Sequence, residues 1–292
     1  MVSYLVSSSA NPADGPLYGV SSTILASNSA PVYVAVGSSV DLSTAQLYYS
    51  SDVGESWTLV STTTEVRFFY GVAIGSNGIA YIIGEKYKIY QATYDDIYST
   101  LTAIFSPAAA TLSLPSSSYL KRYRFLAVCT ADGQNIIAVG NLGIIFYSMN
   151  SGVTWQSSSN NGMSTTVDVN AVSCLSPLVA VASGADSYVS KTIDGGVTWT
   201  ALSVFSSGAY SSYGISIVSN NVIFVSGFIL GDDTYQGSVY KSFDGGATWV
   251  LDTLSLYNIY SLAMYSPILG IAGMVAGSPY AVYTRVSGNV IR

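Results

Sequence analysis

The side chains of this chain able to do ionic or nucleophilic chemistry include sixteen carboxylates and ten cations, but no histidine. Without imidazole, Ser-His-Asp catalysis and histidine-ligated metals are excluded, and hydrolytic chemistry would rest on carboxylates and tyrosines. Two carboxyl groups about 5–5.5 Å apart would suit retaining glycoside hydrolysis, as would a tyrosine nucleophile beside its base. Arginines would supply the other half of such a site by holding an anionic group. There are five: Arg67, Arg122, Arg124, Arg285 and Arg292. A net charge of −6 and the absence of a basic tract exclude nucleic acid as the expected partner. Cys129 and Cys174 are too few for a disulfide framework and read as buried free thiols. No metal or cofactor is expected.

Which of these groups can meet depends on the elements that carry them. All four tryptophans end copies of one phrase, at Ser50–Trp57, Ser148–Trp155, Thr192–Trp199 and Ser242–Trp249. The tryptophans are 98, 44 and 50 residues apart, and the first gap is two ordinary intervals. A decayed copy fills it around Lys88–Asp96, and the same grammar returns once more after Trp249, giving six repeats. Each repeat reads as four short strands rich in Val, Ile and Tyr, bounded by Gly, Asn, Asp or Ser. No stretch supports a helix longer than a turn. The expected fold is therefore all-β, a six-bladed β-propeller of four-stranded blades in one domain, 1–292. Its repeats span 17–60, 66–105, 120–158, 167–204, 212–254 and 258–292. The last repeat is short and a surplus strand, residues 3–7, precedes the first, so the N-terminal strand is expected to complete the last blade and close its edge.

Within the repeated phrase, Asp can accept backbone N–H bonds, Gly supplies backbone angles other residues resist, and Trp buries apolar surface between sheets. Asp52, Trp57, Asn150, Trp155, Asp194, Trp199, Asp244 and Trp249 are accordingly structural residues. The carboxylates lie in equivalent turns far apart and cannot cooperate on one bond; Asn150 keeps the geometry without the charge. The opposite face carries Asp41, Glu85, Asp186, Asp232 and Asp233. Arg67, Arg122 and Arg124 precede first strands on that face, and with Glu85 they form the candidate patch for an anionic or glycan ligand. No catalytic residue is assigned.

The phrase Ser/Thr-x-Asp-x-Gly-x-Thr-Trp, with Ala138–Ser148, resembles the Asp-box (BNR) β-propeller superfamily. It includes sialidases, sortilin-type receptors, xyloglucan-active glycosidases and photosystem II assembly factors. The sialidase resemblance implies an arginine triad, a Tyr–Glu pair and an Asp acid, but the arginines here come from too few repeats to converge. The assembly-factor resemblance implies a ring of arginines repeated blade by blade, which this chain lacks.

Only 9% of residues are charged while 24 are tyrosines, a weakly hydrated surface suited to an assembly or an exposed location. Loop tyrosines such as Tyr98, Tyr210, Tyr213, Tyr235 and Tyr257 are the better candidates for partner contacts. No apolar run approaches the ~20 residues of a membrane helix, and no signal peptide is evident. The sequence thus predicts a non-catalytic binding or structural module with protein partners, a glycan as second ligand class, and no membrane insertion. An extracellular surface or virion is the favoured setting. The alternatives are a sialidase-like glycoside hydrolase and an assembly factor for a membrane complex. Residues 103–123 and 228–238 are long enough to be functional insertions.

Overall fold

The computed structural model describes residues 15–24, 31–52, 54–95, 97–98, 101–105, 123–159, 167–202, 209–230, 237–255, 258–274, 281–286 and 289–290. Arg122 and most of the two long loops lie outside the described residues, as do residues 3–7.

Short β-rich runs punctuated by turn residues fold as successive antiparallel meanders. The first sheet is ordered β1 (Leu17–Ile24), β2 (Pro31–Ser38), β3 (Ala45–Ser50), β4 (Thr58–Thr63). The second is β5 (Phe69–Ile74), β6 (Ile79–Gly84), β7 (Ile89–Asp95), β8 (Ile97–Tyr98), with β9 (Thr102–Phe105) also on β7. The third is β10 (Phe125–Thr130), β11 (Ile136–Gly140), β12 (Ile145–Ser148), β13 (Gln156–Ser157). The fourth is β14 (Val169–Cys174), β15 (Ala180–Gly184), β16 (Val189–Thr192), β17 (Thr200–Ala201). The fifth is β18 (Ala209–Ile217), β19 (Ile223–Leu230), β20 (Gly237–Ser242), β21 (Val250–Ser255). The sixth is β22 (Ile259–Ser266), β23 (Leu269–Met274), β24 (Ala281–Val286), β25 (Asn289–Val290). The fourth position of the last sheet is thus held by Asn289–Val290, whereas the expected closing strand at 3–7 is not described.

Two compact units divide the chain. The N-terminal unit is Ser3–Asn141 with Ser148–Gln156, and the C-terminal unit is Met1–Val2, Leu142–Tyr147 and Ser157–Arg292. In the N-terminal unit the first sheet packs on the second: Val34, Val36, Leu47 and Tyr49 meet Phe69, Val72, Ile82 and Tyr90 in one core. In the C-terminal unit Val181 and Val189 meet Ile215, Ile223 and Val225, and Phe224 and Val239 meet Ile259. Inner strands covered on both faces read as continuous apolar runs. This is why β6 and β11 are almost wholly buried while β13 and β17 are exposed.

Every first strand carries a β-bulge at the same place. The register skips a residue between Leu17 and Gly19, Phe69 and Gly71, Phe125 and Ala127, Val169 and Ala171, Ser212 and Gly214, and Ile259 and Ser261. The skipped residues are Tyr18, Tyr70, Leu126, Asn170, Tyr213 and Tyr260. In five sheets the facing residue is glycine. A Cβ at Gly37, Gly84, Gly140, Gly184 or Gly227 would come 2.1, 2.7, 2.3, 2.0 or 2.0 Å from the carbonyl oxygen of Pro16, Phe68, Arg124, Asp168 or Ser211. Glycine there lets the bulged strand approach, and the bulge re-aims the skipped side chain.

Neighbouring first strands are also tied side chain to backbone. The residue three after the bulge accepts from the one four after the next bulge: Ser21 Oγ from Ile74 N–H at 3.2 Å, Ser173 from Ile217 at 3.3 Å and Ser216 from Met264 at 3.0 Å. Cys129 lies near the end of β10 and Cys174 ends β14. Both are disulfide-bonded and neither is a free thiol, which corrects the expectation of buried thiols.

Candidate functional site

The four repeated turns share one hydrogen-bond scheme. In the third, Thr192 Oγ1 donates to Asp194 Oδ1 at 2.8 Å, Gly196 N–H donates to Thr192 Oγ1 at 3.0 Å, and Thr198 N–H donates to Asp194 Oδ1 at 2.9 Å. Trp199 Nε1 closes the turn on the Gly196 carbonyl at 3.2 Å. Asp52, Asn150 and Asp244 hold equivalent bonds with Ser56, Thr154 and Thr248. Gly54, Gly152, Gly196 and Gly246 all have φ between 81° and 99°, the left-handed region that side chains resist. The carboxylates are therefore occupied by their own turns.

These bonds favour the ionised carboxylate. Ser56 and Ser50 hold Asp52 down at about 2, and Thr248 and Ser242 do the same for Asp244. At Asp194 burial raises the value, but bonds from Thr198 and Thr192 outweigh it and leave it lowered. A folded-state value below the ordinary one gives stability that is present above the unfolded value, 3.8, and lost as pH falls through the folded value, about 2. Thermal unfolding followed from pH 7 to pH 2 should therefore show the midpoint dropping below about pH 4. Asp52→Asn and Asp244→Asn together should flatten that drop, because Asn150 already fills the same geometry uncharged. A drop of unchanged steepness would contradict the assignment.

At the other end of the hairpins, the sequence-predicted Arg67, Glu85 and Arg124 come together in the N-terminal unit. Glu85 is buried, and its Oε1 and Oε2 accept from Arg67 Nη2 and Arg67 N–H, both at 3.0 Å. Glu85 and Arg124 pair as an antiparallel bridge. Both guanidinium groups stack on rings, Arg67 at 5.2 Å from the Phe68 centroid and Arg124 at 5.1 Å from that of Tyr70. Arg124 Nη1 also donates to Tyr70 OH at 3.4 Å. Tyr18 completes the cluster, 6.0 Å from Phe68 and 5.9 Å from Tyr70. Lys86 and Tyr87, both with positive φ, form the tight turn beside it, where Lys86 N–H donates to the Tyr123 carbonyl at 2.6 Å.

This arrangement can bind: exposed cations backed by aromatic faces suit an anionic group carrying apolar surface. Asp41 is spent on Ser39 and Ser43 in its own loop, Asp186 occupies a left-handed turn position, and Asp232 and Asp233 lie outside the described residues. One Tyr–Glu pair does exist, with Tyr90 OH donating to Glu65 Oε2 at 3.0 Å. Burial and then the Glu65 bond push that phenol up, the wrong direction for a nucleophile. Among the described residues no three His, Cys, Asp or Glu gather as metal ligands, and no helix is long and apolar enough to cross a membrane.

No family model and no curated protein matches the sequence. Solved structures do. YCF48 bound to D1 peptide aligns over 94% of this chain and 95% of its own, with 16% identity and a TM-score of 0.55. The Niastella koreensis GH74 enzyme aligns over 92% of this chain at 15% identity and a TM-score of 0.65. The GH74 xyloglucanase of Xanthomonas campestris aligns over 92% at 12% identity and 0.66. The fold is a β-propeller. The chain spans 44% of the length of either GH74 enzyme and nearly all of YCF48.

The propeller's sequence named the arginines and Glu85 but missed Phe68 and also Tyr18, Tyr70 and Tyr260, whose placement depends on the bulges. The signal was present in the glycines of five second strands, at 37, 84, 140, 184 and 227, which mark where a neighbouring backbone must come close.

Proposed function

We propose that the chain is a non-catalytic propeller of six four-stranded blades in one domain that holds a protein partner within a larger assembly or on an exposed surface, extracellular or virion. The observation that carries this is the pair of exposed guanidinium groups held over Phe68 and Tyr70, the first of them anchored by the buried Glu85. The repeated turns of Asp-box type serve the scaffold and leave the opposite end for recognition. YCF48, a structural neighbour across nearly its whole length, was solved with a D1 peptide, which supports a protein ligand and keeps the assembly-factor reading alive. A glycan is the second ligand class. Glycoside hydrolysis is favoured only by the GH74 neighbours and by the Tyr90–Glu65 pair, in which burial and the Glu65 bond suppress ionisation of the phenol.

The test is affinity purification from the native source, with native mass measurement. The wild-type chain should emerge in a particle well above its own 30.7 kDa with a stoichiometric partner, and Arg124→Ala, which leaves the Arg67–Glu85 pair intact, should weaken the hold on that partner while leaving the thermal midpoint nearly unchanged. A lone monomer that turns over a glycoside panel, and loses turnover in Glu85→Gln, would overturn the reading.

A further inference from the structure

We infer that the C-terminal unit carries a second recognition site, the Tyr213–Phe228–Tyr260 cluster, which receives an arginine side chain presented by a partner protein. Tyr213 and Tyr260 are bulge residues of neighbouring first strands. Their centroids are 5.1 Å apart, and Phe228 stacks on Tyr213 at 5.4 Å and 13°. Tyr260 remains 41% exposed, so ring surface is accessible. The N-terminal unit shows what such a cluster binds: Arg124, immediately before β10, covers the preceding bulge residue Tyr70. The residue in the same register before β22 is Asn258, whose Nδ2 donates to Tyr260 OH at 3.3 Å. Its Oδ1 is buried and has no donor among the described residues.

The local charge selects a cation. The Asp168 carboxylate is close enough to Tyr213 to contribute, after burial and Tyr260, to raising its phenol. The chain itself has no Lys or Arg between Lys191 and Lys241 or between Lys241 and Arg285. Lys241 is engaged by Asp252 and Phe243. A guanidinium over these rings would gain a cation–π contact. This site shares no residue with the Arg67–Arg124 patch, and either can stand without the other.

The experiment titrates protein labelled with ¹³C at its tyrosine rings with acetyl-Gly-Arg-Gly-amide and with the neutral citrulline counterpart. The arginine peptide should give saturable shifts at Tyr213 and Tyr260, and the citrulline peptide should bind about threefold to tenfold more weakly. Tyr260→Leu should weaken the arginine peptide by a similar factor. Asn258→Arg, which supplies from within what Arg124 supplies to Tyr70, should abolish binding while the protein stays folded. Equal binding of the two peptides, shifts confined to other tyrosines, or undiminished binding by Asn258→Arg would overturn the inference.

Discussion

Trp199→Ala should cost about 3–5 kcal/mol of unfolding free energy, the largest loss among the four tryptophans. Trp199 is 1% exposed, whereas Trp57, Trp155 and Trp249 are half-buried although all four make the same Nε1 bond to a turn carbonyl. The bond is common to all four, so any difference between the variants measures buried apolar surface. Denaturant unfolding of the four alanine variants decides the point. Equal losses would mean that the turn bond, not burial, dominates.

Gly140→Ala should cost about 1–3 kcal/mol and disturb the recognition end directly. The new Cβ would meet the Arg124 carbonyl oxygen at 2.3 Å and the Phe125 Cα at 3.0 Å, both backbone atoms that cannot swing aside. Relief requires the start of β10 to move, which carries Arg124 off Tyr70. Partner binding should therefore fall along with stability, whereas Gly54→Ala, which strains a turn at the far end of the hairpins, should lower stability and leave binding unchanged. Loss of stability in Gly140→Ala with full retention of binding would detach Arg124 from recognition.

The repeat, the strand grammar and the turn scheme were legible in the sequence because each is local: Asp, Gly, Thr and Trp interact within eight residues. Arg67 and Arg124 were legible as cations ahead of first strands and Glu85 as a carboxylate after a second strand, and they do come together. The aromatic half of the surface was not, because whether Tyr70 packs inward or stands beside Arg124 depends on a one-residue register skip, and residues beyond a skip change face. The thiols were misread for a related reason. Two lone cysteines at strand ends read as separate buried residues, and nothing local in the sequence marks a bond that joins distant positions. Cys129 and Cys174 are each disulfide-bonded.

The central claim is that partners dock on the arginine–aromatic end of the N-terminal unit and not on the repeated turns. Amide hydrogen exchange of the native complex against the free chain tests it directly. Protection should appear at Arg67–Tyr70, Lys86–Lys88 and Tyr123–Leu126, with Ser50–Trp57 and Ser148–Trp155 unchanged. Protection confined to the two turns, with the arginine segments exchanging as in the free chain, would contradict it.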